Sequence, residues 1–132
     1  MTRPFSLFLA ILLLSTACIK EDDAPNLHPA SITFRSDSGY TYLNDTVPAG
    51  DSLRLGVMVA EGSEDLEYVR VAVRTDGGAW TLRDSVPFTQ NPMAVDVQAV
   101  MDAGAHTEEW GFTALEPDGD GTFRSLTFTV TE

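Results

Sequence analysis

Chemistry in this chain can rest on only a few side chains: it has one cysteine, Cys18, and two histidines, His28 and His106. Nucleophilic catalysis needs a base within hydrogen-bond reach of a serine or cysteine, and a third group that orients the base. His28 lies in a proline-bearing stretch between Leu27 and Pro29. His106 lies in Asp102-Ala-Gly-Ala-His-Thr-Glu108, which reads as a surface loop ahead of a strand. Serines are plentiful, but none stands in a Gly-x-Ser-x-Gly elbow. Paired carboxylates would serve glycoside hydrolysis if they converged across a cleft. Glu108 and Glu109 are neighbours, so in an extended chain they point to opposite faces and cannot act on one bond. The residues assign no catalytic role, and the expectation is a non-enzyme.

Binding chemistry is next. One cysteine and two histidines cannot build an ordinary structural zinc site of Cys and His ligands. Asp118-Gly119-Asp120-Gly121 opens like a calcium loop. An EF-hand then needs an oxygen ligand at the fifth place and a bidentate Glu at the twelfth, where this chain has Thr122 and Thr129. Asp118 and Asp120 are left as a calcium candidate formed with other acids, the alternative being a hairpin turn whose glycines supply backbone freedom. No other metal and no cofactor is expected. Tyr40 and Tyr42 share a parity in a loop or edge, and Trp80 follows a double glycine; projecting outward, the three would stack on a sugar ring. The plainer reading puts Trp80 and Trp110 in the core and lets a tyrosine cap the fold.

The elements that must position these groups follow from pattern. Of 132 residues, 8 are Lys or Arg and 20 Asp or Glu, for a net charge of −12, which leaves no electrostatic footprint for nucleic acid. Phe5 to Leu14 is apolar except for Ser6 and follows Arg3. Ten helical residues rise about 15 Å, half the hydrocarbon thickness of a bilayer, so the run reads as the core of a secretory signal peptide. Small residues Ser15, Thr16 and Ala17 then lead to Cys18.

The Leu14 to Cys18 segment resembles the lipobox of bacterial lipoproteins, although Ser15 stands where that family usually has leucine. The resemblance implies cleavage after residue 17, a diacylglycerol on the Cys18 thiol and acylation of the new amino group with fatty chains of the palmitate kind. Lys20, Glu21, Asp22 and Asp23 resemble the export signal of surface-exposed lipoproteins in some Gram-negative bacteria; the alternative is a solvated acidic tether. Cleavage removes Arg3 and no acid, so the mature chain is more anionic still. Anionic headgroups repel such a body, and its partner membrane is held through acyl chains, at about 0.8 kcal/mol per buried methylene. The implied address is the outer membrane, facing the cell surface, with the periplasmic face as alternative. Residues 18–30 read as the acylated cysteine and a flexible tether.

From residue 31 to 132 the chain reads as short strands. Leu53, Leu55, Val57 and Val59 share one face of an extended segment, as do Val69, Val71 and Val73. Trp80 with Leu82, Val95 with Val97, Trp110 with Phe112 and Ala114, and Leu126 with Phe128 and Val130 continue the pattern, and Ile32 with Phe34 begins it. Asp76-Gly77-Gly78, Pro48-Ala49-Gly50-Asp51 and Asp118-Gly119-Asp120-Gly121 supply turns. About seven strands in this length match an immunoglobulin-like antiparallel β-sandwich. The Gly39 to Tyr42 segment, the Pro-Ala-Gly-Asp turn and the late Pro-Asp-Gly-Asp-Gly hairpin resemble the small Ig-like modules of bacterial surface lipoproteins. They imply a non-catalytic binding or accessory module with a protein or glycan partner. The alternatives are a carbohydrate-binding component of a glycan-uptake system and a small enzyme or enzyme subunit built on a carboxylate site.

Overall fold

The computed structural model describes residues 27–132. Cys18, Lys20, Glu21, Asp22 and Asp23, with the expected signal peptide and most of the tether, lie outside the described residues. Eight strands follow in order: β1 (Ser31–Phe34), β2 (Asp45–Pro48), β3 (Ser52–Ala60), β4 (Tyr68–Thr75), β5 (Thr81–Pro87), β6 (Met93–Val100), β7 (His106–Leu115) and β8 (Gly121–Thr131). They form two sheets, ordered β1-β3-β6 and β2-β8-β7-β4-β5. The first edge strand is split between the sheets, β1 pairing with β3 and β2 crossing over to β8. With β4, β7 and β8 adjacent in one sheet and β1, β3 and β6 in the other, the order is that of an immunoglobulin-like sandwich.

The alternation read from the sequence decides which side chains meet between the sheets. Leu55, Val57 and Val59 of β3 and Val69, Val71 and Val73 of β4 are buried, as are Phe112, Phe128 and Trp110. Each contributes about 1.5–3 kcal/mol by leaving water. The B–F disulfide of antibody domains has no counterpart among the described residues, which contain no cysteine; the sheets are joined by packing and by a hydrogen bond from Arg124 of β8 to the Ile32 carbonyl of β1 at 3.1 Å. The turns form where positive φ was expected: Asp76 and Gly77 have φ of 51° and 71°.

Two expectations need correction. The strands number eight rather than seven, because β2 is a strand. It has one buried residue, Val47, and no alternation to reveal it. β2 also makes the sandwich mixed: it runs parallel to β8, with Val47 opposite Val130, while every other pairing is antiparallel. Asn44 prepares that pairing by accepting the Thr127 amide through Oδ1 at 2.9 Å. Ahead of β1, His28 docks on the loop after β3, donating its amide to Ser63 Oγ at 2.6 Å and accepting the Ser63 amide at 2.9 Å.

Candidate functional site

The outer face of the five-stranded sheet carries an aromatic platform where water would favour polar side chains. Its floor is made of small residues: Ala72 of β4 lies between Leu82 of β5 and Gly111 of β7, and Gly111 faces Ser125 of β8. A Cβ on Gly111 would stand 2.5 Å from the Phe123 ring and 3.1 Å from the Trp80 indole, so the glycine is what lets both rings lie across the sheet. Trp80 and Phe123 meet edge to face with centroids 5.6 Å apart. Both remain open to solvent, at 40% and 50% exposure, beside Leu82 at 58%. The expectation that Trp80 belongs to the core is thus corrected: the residue precedes an edge strand and lies on the outer face, while Trp110 is the buried one.

A polar row borders the rings. The Arg74 guanidinium lies 4.6 Å from the Trp80 ring centre and donates through Nε to Glu109 Oε1 at 2.7 Å. Ser125 Oγ donates to Glu109 Oε2 at 2.6 Å. The Ser125 hydroxyl, with Arg74, holds the Glu109 carboxyl below the usual glutamate range, against the opposing effect of burial. The platform therefore pairs flat apolar rings with a fixed, ionised hydrogen-bonding rim.

The two tyrosines do not join Trp80. Tyr40 lies on the outer face of the other sheet, over Gly56, where a Cβ would meet its ring at 2.5 Å. Its hydroxyl donates to Asp96 Oδ2 at 2.6 Å, and the guanidinium carbons of Arg35 and Arg54 each lie 4.4 Å from its ring centre. The bond to Asp96 pushes the Tyr40 hydroxyl pKa up. Burial opposes ionisation of Asp96, but the bonds from Tyr40 and Arg54 outweigh it and hold the carboxyl below its ordinary value. Tyr42 is 43% exposed in the segment before β2, beside a hollow it lines with Phe34, Leu43, Asn44 and Arg124.

Asp118 and Asp120 occupy the tip of the β7–β8 hairpin, where Asp118 Oδ1 accepts the Asp120 amide at 3.0 Å and Gly119 takes φ of 95°. Glu116 is held above the ordinary range, first by burial and then by Asp118, Glu64 and Asp120.

His106 departs from its expected place in a surface loop. It is the first residue of β7, its side chain is 7% exposed, and Nε2 lies 2.6 Å from Oε2 of Glu108, itself 2% exposed. The Glu108 bond raises the His106 pKa against the opposing effect of burial. Glu108 also accepts the Trp110 indole N–H at 3.2 Å and the Asp102 amide at 2.8 Å. Glu109 points to the other face, as the alternation requires. Asp102, His106 and Glu108 bring their ligand atoms within 4.8 Å of one another.

Sequence reasoning missed Phe123, the Arg74–Glu109–Ser125 row and the His106–Glu108 pair. Two signals pointed toward them: a glycine in the middle of an apolar strand, which marks close approach of another group, and a His-x-Glu spacing that puts both side chains on one strand face.

No protein-family model and no curated protein matches the chain. Among solved structures it is similar to murine CRIg, with 13% identity over 80% of this chain and 100% of that one, at a TM-score of 0.44. It is also similar to a CARDB domain from Pyrococcus furiosus, solved in complex with di-metal ions, with 16% identity over 81% of this chain and 94% of that one, at a TM-score of 0.45. Likeness at this level carries no argument about what this chain binds.

Proposed function

We propose that this chain is a non-catalytic, acylated lipoprotein of the outer membrane, displayed at the cell surface, whose sandwich binds carbohydrate on the outer face of its five-stranded sheet. The anchor is supported by the apolar run, the small residues before Cys18 and the Lys20 to Asp23 segment. The observation that carries the binding role is the exposed Trp80–Phe123 pair above Gly111, bordered by Arg74 and Glu109. Aromatic faces pack on the C–H face of a sugar ring, and the fixed guanidinium, carboxylate and hydroxyl groups at the rim take its hydroxyls. The binding module is the general role, and the glycan is the ligand that this rim chemistry fits.

Two measurements test the reading. Isothermal titration of the full chain with soluble oligosaccharides, with Trp fluorescence quenching as a second readout in variants that keep Trp80, is expected to show binding in the wild type and not in Trp80→Ala or Phe123→Ala. Identical affinity in both variants would remove the platform from the argument. Cys18→Ala is expected to leave the membrane fraction, and a variant that still sediments with membranes would remove the anchor.

A protein partner is the second reading. It is favoured by β6, which pairs with β3 alone and leaves its other side open for an added strand. Proline at Gln98 of β6 would weaken that mode and leave sugar quenching intact.

A further inference from the structure

The pair at the start of β7 poses a problem of proton placement. His106 Nδ1 lies 2.7 Å from the Gly104 carbonyl oxygen, which can only accept, so Nδ1 carries a hydrogen. In a neutral ring Nε2 then presents a lone pair, and it faces a carboxylate oxygen of Glu108 at 2.6 Å. Two acceptors this close require a shared proton between them, and a metal ion can replace that proton only if the pair moves apart.

Several features favour a metal ion when one is present. A third donor, the carboxylate of the exposed Asp102, completes a set whose ligand atoms lie within 4.8 Å of one another. His106 and Glu108 are two apart on one strand and so project together, while Asp102 comes from the loop ahead of them. The outer contacts suit metal ligation. The Gly104 carbonyl fixes the imidazole, and the Trp110 indole with the Asp102 amide fixes the Glu108 carboxylate. The loop that must yield contains Gly104, at φ of 86°. Asp102 and Trp110 also line a cleft of about 400 Å³ between the β5 and β6 edges, with Arg83, Val97, Gln98 and Val100, so one member of the set faces open space.

We propose that Asp102, His106 and Glu108 form a binding site for a divalent cation of the zinc class, held by Nε2 of His106 and the two carboxylates. One imidazole nitrogen and two carboxylate oxygens suit zinc, with a water in the fourth position. Calcium and magnesium take all-oxygen shells of higher number and gain nothing from the imidazole. Across a tetrahedral zinc ion the His106 and Glu108 ligand atoms stand about 3.3 Å apart, so the pair must open by roughly 0.7 Å from its hydrogen-bonded separation for the ion to take the place of the shared proton. The site lies on the inner side of the sheet and is independent of the aromatic platform.

The test uses the full chain in detergent after treatment with a chelator. Isothermal titration with zinc chloride is expected to give one ion per chain, together with a melting temperature that rises with zinc concentration; calcium and magnesium chloride are expected to give neither. Asp102→Asn keeps the backbone amide that Glu108 accepts and alters an exposed side chain, so it is expected to melt with the metal-free wild type. It should bind zinc at least about tenfold more weakly. His106→Gln should abolish binding. Absence of zinc heat and of any thermal shift overturns the proposal, as does wild-type affinity in Asp102→Asn. Asp102→Asn decides the matter if His106→Gln fails to fold.

Discussion

Gly111 lies directly beneath Phe123, so close that a single methyl group there would stand 2.5 Å from the phenyl ring. Gly56 has the same relation to Tyr40 on the opposite sheet. The two rings differ in what holds them. Phe123 is half exposed and can swing outward, whereas Tyr40 is tied to Asp96 and set against two guanidinium groups.

Gly111→Ala is therefore expected to disturb the platform at little cost in stability, about 1 kcal/mol or less, while Gly56→Ala costs roughly 1–3 kcal/mol because Tyr40 must abandon its partners. Urea denaturation of both variants checks the order, and equal losses would contradict it. Near-ultraviolet circular dichroism of Gly111→Ala should report the loss of the Trp80–Phe123 contact.

Glu108 is buried and accepts from Asp102, His106 and Trp110 together. Glu108→Ala leaves those groups without their acceptor and is expected to destabilise the fold by about 3–5 kcal/mol. Thermal melting in the presence of chelator measures it. A loss under 1 kcal/mol, about a fivefold change in the folding constant, would mean that water replaces the carboxylate.

Asp96 has its folded pKa lowered, and so does Asp37 beside Arg35. Lowered carboxylate values stabilise the fold above the unfolded pKa, and that contribution is lost as pH falls through the folded value. The melting temperature should thus drop below about pH 4, the ordinary aspartate range, with part of the drop missing in Asp96→Asn. These groups are partly exposed, so added salt should shrink the difference. A melting curve identical for wild type and Asp96→Asn from pH 6 to 3 would deny the network any role.

Leu55 is fully buried in β3. Leu55→Asp places an unpaired charge between the sheets and is expected to prevent folding, whereas Leu55→Ala costs about 2–5 kcal/mol and leaves a foldable chain. Heteronuclear spectra of the two proteins would show dispersed amides for the second and not the first.

The sequence was legible where one face of a strand is dry. β3, β4, β7 and β8 alternate, interrupted only by the buried Gly56 and Gly111, because their inner residues, such as Val57, Val71, Phe112 and Phe128, are enclosed between the sheets. β5 has no such contrast: from Thr81 to Ser85 every residue is exposed, and a bulge at Val71/Ala72 leaves Arg83 as the extra residue, its guanidinium turned to Trp110. β2 is short and its partner lies some eighty residues later, a pairing no local pattern encodes. The platform is half visible in the sequence: the double glycine marks Trp80, but its neighbours come from β4, β7 and β8 and meet only after the sheet assembles. His106 reads as a loop residue because Asp102-Ala-Gly-Ala carries turn residues up to its very edge.

The parallel run of β2 beside the last strand gives the domain a mechanical direction. A pull toward the N-terminus against a C-terminus held at Thr131 drags β2 lengthwise along β8, so the bonds between Asp45–Pro48 and Phe128–Thr131 are strained together instead of peeling one at a time. Such a pair loaded end to end resists as a zip pulled sideways does not, and single-molecule stretching should show a force peak that Val47→Pro erases.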